Sequence, residues 1–246
     1  MIKVLAIGNS FSQDATRYLY QIARAEKVDM KVVNLYIGGC PLSYHYSNIF
    51  SEEKRYIFEL NGMSTGINVS LKDGLLNESW TGWDFVTMQQ VSNLSPDYNT
   101  FIPYIKELSD YVRKLSPKAK QMIHQTWSYE EGSKRLTEEL GYKNQLDMFN
   151  DVKSAYDKAA EEIGAEVIPS GETMQNLIKY GVKAHRDTFH ANLGCARYAL
   201  GLTWFEMLTG KTAQNNTFRD FDIDVTEEEV ALAKKAAKEA VLKYRG

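Results

Sequence analysis

Five short runs rich in β-branched and other apolar residues, at 2–7, 31–37, 84–90, 119–124 and 165–168, alternate with longer segments whose apolar residues recur at helical spacing. Parallel strands need a crossover between them, usually a helix, so this alternation points to βαβ units. It predicts an α/β fold: a three-layer α/β/α sandwich around a central, mostly parallel five-stranded sheet.

The crossovers carry the stripes that such a sandwich needs. Ala15, Tyr18, Leu19, Ile22 and Ala23 form one, Phe101, Ile105, Leu108, Val112 and Leu115 a second, and Phe149, Val152, Tyr156, Ala159 and Ile163 a third. The segment 193–208 is apolar nearly all round, which predicts a buried helix, and Thr226 with Glu229 forms a capping box that opens a terminal helix. Residues 51–80 break the rhythm: two extended runs flank Asn61-Gly62, a hairpin turn signal, so a small inserted hairpin is expected there as an excursion. No proline-rich linker or repeat divides the chain, and a single domain over 1–246 is the expected organisation.

Charge and cysteine content narrow the function classes. The net charge is −3 with Lys and Arg scattered, so neither nucleic acid nor an anionic membrane is an expected partner. Cys40 and Cys195 stand far apart without CxxC spacing, against a disulfide framework or a zinc site. His45, His124 and His185 show no HxH, HxxxH or HExxH spacing, so no metal and no cofactor is expected. Met1 runs straight into the strand Ile2–Ile7, and a cytoplasmic protein is the expectation unless a leader has been removed.

Two segments could carry chemistry. Gly8-Asn9-Ser10-Phe11-Ser12 puts Ser10 on the turn at the carboxyl end of the first strand, the edge where open parallel sheets bind ligands. A serine there is also a common helix cap, a role Ser12 could fill, and the second and third glycines of a dinucleotide fingerprint are missing. In Arg186-Asp187-Thr188-Phe189-His190, an acid three residues before a histidine can fix its tautomer. Alone, that pair reads as readily as two polar residues in a loop.

Taken together, Gly8-Asn9-Ser10 resembles the first block of the SGNH/GDSL hydrolases and Asp187-Thr188-Phe189-His190 their final DxxH block. The resemblance implies the flavodoxin-like SGNH hydrolase fold, with Ser10 as nucleophile, His190 as base and Asp187 as its partner. It also implies an oxyanion hole from the backbone N–H groups of Ser10 and Gly39, the latter within Ile37-Gly38-Gly39-Cys40-Pro41. The third block, usually GxND, is replaced by Met88-Gln89-Gln90-Val91-Ser92-Asn93. By likeness to SGNH carbohydrate esterases with a QGES-like block, Gln90 is the favoured side-chain donor, with Gln89 and Asn93 as alternatives.

The chain from residue 4 to about residue 210 further resembles the DUF4886 family of bacterial proteins. The segments that carry this are Asn34 to Cys40, Gln89 to Ser92, His124-Gln125-Thr126-Trp127, Ile168 to Gly171 and Gly201 to Trp204. Cys40, His124 and Trp127 lie on the same sheet edge and are candidate pocket residues, as are Tyr44, His45 and Tyr46. The expected function is a short-acyl, acetyl-type esterase acting on carbohydrate or another small ester. The alternatives are a lysophospholipase or thioesterase, and a non-catalytic SGNH-like carbohydrate binder.

Overall fold

A computed structural model describes residues 1–78 and 82–245, leaving the end of the 51–80 segment outside the described residues. Its centre is a sheet with strand order β4-β3-β2-β1-β5-β6-β7. The strands are β1 (Ile2–Gly8), β2 (Met30–Tyr36), β3 (Tyr56–Leu60), β4 (Met63–Val69), β5 (Phe85–Met88), β6 (Lys120–His124) and β7 (Glu166–Ile168). Five of them run parallel, β1 beside β2 and β5, then β6 and β7. Taken alone these five have the 2-1-3-4-5 order of a flavodoxin-like sheet, whose direction of winding changes at β1.

Among the described residues the sheet has seven strands where the sequence pattern predicts five. The hairpin over 56–69 is no excursion: β3 pairs antiparallel with β2 from Val33↔Leu60 to Tyr36↔Ile57, and β4 forms the new edge. Asn61 and Gly62, at φ 52° and 84°, make the tight turn their dipeptide announced. Local periodicity identifies a hairpin but says nothing of where its outer face pairs.

One helical layer holds α1 (Ser10–Thr16), α2 (Leu19–Ala25), α7 (Ser170–Lys179), α8 (Cys195–Thr209) and α9 (Glu227–Arg245), and the other α3 (Leu42–Ser47), α4 (Leu71–Leu76), α5 (Tyr104–Leu115) and α6 (Gln145–Ile163). Because both faces are covered, β1 is apolar without alternation, and Val4 to Ile7 are all at most 1% exposed. The helix α8 packs among α1, α2, α7 and α9, with Trp204 edge-on to His124, which explains its all-round apolarity. Thr226 and Glu229 cap α9 reciprocally, as their spacing predicts. Among the described residues no helix is long and apolar enough to cross a membrane.

Candidate active site

The turn after β1 is built by close approach. A Cβ on Gly8 would lie 2.4 Å from Ser12 Oγ, so only glycine lets α1 double back onto the strand end. Asn9, not Ser12, caps α1: its Oδ1 accepts from Phe11 N at 3.1 Å and Gln89 Nε2 at 2.7 Å, while its Nδ2 donates to the Cys40 carbonyl. Ser12 sits deeper, 2.8 Å from Asn34 Oδ1. With Asn9 doing the capping, the Ser10 hydroxyl points out of the turn.

That hydroxyl lies 2.8 Å from His190 Nε2, and His190 Nδ1 lies 2.8 Å from Asp187 Oδ2. An ionised carboxylate only accepts, so Nδ1 carries the proton and Nε2 is left to accept from Ser10. Asp187 Oδ1 also accepts from the backbone N–H groups of Phe189 and His190, which folds the loop 187–190 around its own acid. Burial pushes the Asp187 carboxyl up, but the backbone bonds from His190 and Phe189 and the imidazole outweigh it and hold it down at about 2. The two segments that the sequence places 180 residues apart thus meet within proton-transfer distance.

What brings the loop there is a carboxylate that sequence reasoning missed. Asp14, one helical turn after Ser10 and fully buried, accepts from Arg186 Nη1 at 2.8 and 2.9 Å, from Arg197 Nε at 2.9 Å and from Ala191 N at 3.0 Å. Arg186 and Ala191 are the residues on either side of the 187–190 turn, so one side chain on α1 grips both ends of the loop that carries His190. An acid beside apolar Ala15 in a buried helix was the available signal; its partners, more than 170 residues away, were not visible.

Ser10 and His190 open onto a pocket of about 330 Å³, which Gly39, Asn93, Tyr129, Arg135 and Phe189 also line. Gly39 has φ +60° and open space where a Cβ would stand, a conformation that aims the backbone of the 37–40 turn at the pocket at no steric cost. Asn93 is exposed and lines the same pocket. Arg135 opens a single turn of π-helix, Arg135–Glu139, and was not singled out because nothing in its surroundings forms a motif.

Several expected pocket residues lie behind the wall. Gln90, the favoured donor, is 1% exposed: its Nε2 donates to Thr100, and its Oε1 accepts from Leu42 N and Val91 N. Gln89 is equally buried and bridges Asn9 to His124, whose Nδ1 lies 2.6 Å from Gln89 Oε1. Each amide nitrogen and oxygen of the pair has a partner and holds loops together, which is why two adjacent glutamines can end a buried strand. Of the three candidates only Asn93 reaches the pocket. Trp127 stacks on Phe11 at 4.1 Å and donates Nε1 to the Phe189 carbonyl, supporting the site from beneath.

His124 and His45 are wholly buried, and burial holds both imidazoles down at about 3. His45 Nδ1 pairs with the Tyr56 hydroxyl at 2.9 Å and sits 3.5 Å from Cys40 Sγ, whose thiol burial pushes up to about 12. His185 bonds the Ser128 carbonyl. No group of three His, Cys, Asp or Glu side chains among the described residues is arranged to hold a metal ion.

Over residues 3–240 the sequence matches the family described as "Domain of unknown function (DUF4886)". A crystal structure of a DUF4886 family protein from Bacteroides uniformis is 34% identical, covers 98% of this chain and 95% of its own, and superposes with a TM-score of 0.89. A candidate SGNH hydrolase from Slackia heliotrinireducens is 21% identical over 83% of this chain and 97% of its own, with a TM-score of 0.59. The acetylxylan esterase Axe2 from Geobacillus stearothermophilus, seen as a catalytic mutant, is 14% identical over 85% and 94%, with a TM-score of 0.52. Among proteins with curated descriptions none matches the sequence. The likeness to the last two is one of fold.

Proposed function

The chain belongs to the DUF4886 family and has the SGNH hydrolase fold, and from that premise we propose that it is a serine esterase in which Ser10 is the nucleophile. The observation that carries this reading is the unbroken line from Ser10 Oγ through the imidazole of His190 to Asp187, with both links at 2.8 Å.

The chemistry follows from that line. His190 Nε2 takes the Ser10 proton as Oγ attacks the ester carbonyl, and Asp187, ionised far below neutral pH, stabilises the imidazolium that forms. The oxyanion is received by the N–H groups of Ser10 and Gly39 and by the Asn93 amide; Ser10 opens α1, where backbone N–H groups lack helical partners. The imidazolium returns its proton to the departing alkoxide, leaving an acyl-serine. Water then gives a proton to His190 and attacks the acyl carbon; the acyl–Oγ bond breaks, the imidazolium returns that proton to Ser10 Oγ, and the acid is released. The pocket's modest volume and mixed polar lining favour a short acyl group such as acetyl, on a sugar or another small alcohol. Its likeness in fold to an acetylxylan esterase agrees with that choice.

The test is hydrolysis of para-nitrophenyl acetate by the wild type and Ser10→Ala. Loss of the nucleophile lowers kcat by about a thousandfold or more, with folding unchanged. Full activity in S10A refutes the assignment, and failure of wild-type Ser10 to react with a fluorophosphonate probe favours a non-catalytic binder.

A further inference from the structure

We propose that the pocket is built for an ester that carries a carboxylate, and that Arg135 is the group that recognises it; this rests on the esterase reading above.

The pocket beside Ser10 has a charge imbalance. None of its lining residues is Asp or Glu, while Arg135 contributes a permanent cation. Arg186 and Arg197, the other arginines near this rim, are committed to Asp14, and among the described residues no carboxylate forms an ion pair with Arg135. Arg135 is exposed, lines the pocket and interacts with the Tyr129 hydroxyl, but among the described residues it has no carboxylate partner.

The guanidinium is also fixed in place. Its central carbon lies 4.3 Å from the centre of the Phe189 ring, whose centroid in turn lies 3.9 Å from that of His190. The charge therefore stacks on the residue next to the base and stands one ring away from the reacting atoms. Leu136, fully buried, anchors the π turn below it, and Glu130 N donates to the Thr188 carbonyl, tying the segment that carries Arg135 to the loop that carries His190. Tyr129, whose hydroxyl lies 2.9 Å from Ser92 Oγ, completes this wall.

A planar guanidinium offers parallel donors that match a carboxylate, and although Asp187 stands behind His190, no acid lines the pocket among the described residues to compete for Arg135. A single cation without an ion-pair partner balances a single negative charge, which selects a carboxylate over a phosphate monoester. The carboxylate can sit on the acyl half or on the alcohol half of the ester, and matched substrates tell the two apart.

The experiment compares kcat/KM for mono-para-nitrophenyl glutarate against para-nitrophenyl valerate, and for meta-carboxyphenyl acetate against meta-carbamoylphenyl acetate. Wild type is expected to favour one charged member by about ten- to a hundredfold, chiefly through KM. Which pair shows the preference identifies the half that bears the charge. In Arg135→Gln the charged-to-neutral ratio falls to about one, and Arg135→Lys, which keeps the charge but not the fork, falls between. No preference in wild type for either charged ester, or a ratio that R135Q leaves intact, overturns the proposal while hydrolysis of the neutral esters leaves the esterase reading standing. Should no ester turn over, calorimetric binding of glutarate and meta-hydroxybenzoate decides: binding that R135Q abolishes supports it, and no binding by wild type refutes it.

Discussion

The serine and the histidine are held by opposite kinds of chemistry. On the serine side, the turn after β1 is fastened by neutral groups: Asn9 to Phe11, Gln89 and Cys40, with Gln89 passing on to His124. On the histidine side, Trp127 and Glu130 N also donate to the turn 187–190, but its ends are fastened by a charged clamp: Asp14 against Arg186 and Arg197. The serine turn follows directly from a central strand and needs only its amides satisfied. The histidine loop has no strand beneath it, so it must be brought to α1 by an attraction strong enough to order a loop. The difference predicts that the two sides fail differently when cut.

The largest effect is expected from Asp14→Asn. Breaking a buried ion pair leaves charge without compensation, which costs about 3–5 kcal/mol in general. Arg186 keeps 26% of its side chain in contact with solvent, so the low end applies, about 3 kcal/mol, read from a denaturant midpoint. Freed at both ends, the loop no longer holds Nε2 against Ser10, and kcat falls about a hundredfold with KM little changed. A D14N enzyme of reduced stability but full kcat would show that the clamp stabilises the fold without positioning the base.

Legibility in the sequence divides along the same line. The parallel strands, the capping box at Thr226 and the pairing of Ser10 with the Asp187–His190 block were readable because each is local, or has a local signature at both ends. Gln90 was misread for a physical reason: an amide at a strand end looks the same in sequence whether it faces a cleft or ties Leu42 to Thr100. Asp14 left only the weak signal of an acid in a buried helix and Arg135 left no motif, since an ionic clamp and a cation without an ion-pair partner are defined by what surrounds them in space. The hairpin was recognised as a hairpin, yet its place as two further strands depended on pairing with β2, which no turn signal encodes.

A smaller effect is expected from cutting the serine side. Gln89→Met leaves the His124 Nδ1 donor without its acceptor, at about 1–3 kcal/mol. Asn9 Oδ1 still accepts from Phe11 N, so the cap survives and kcat is expected to fall by less than about tenfold. If Q89M lowers kcat more than D14N does, the neutral side is the more delicate one and the contrast is reversed.

The smallest effect concerns pH. Asp187 is held at about 2, below the usual carboxylate range, so its contribution is present above that range and is lost only as pH falls through 2. His124 has no partner on Nε2 and is held at about 3 by burial, whereas in the unfolded chain it titrates near 6.5. Between those values the unfolded state binds the extra proton, so stability falls as pH falls from about 6.5 towards 3. The neutral network therefore weakens at milder acidity than that at which Asp187 takes up its proton. His45, buried in the same way, and His185, also lowered by burial, add to the slope. In His124→Gln the amide can still donate to Gln89 but no longer titrates. Between about pH 7 and about pH 5.5, the stability that wild type loses is expected to exceed the loss in H124Q by about 1 kcal/mol. Equal losses in the two proteins would mean that His124 takes up its proton as readily in the folded state as in the unfolded chain, and the serine side would then not be the neutral scaffold described above.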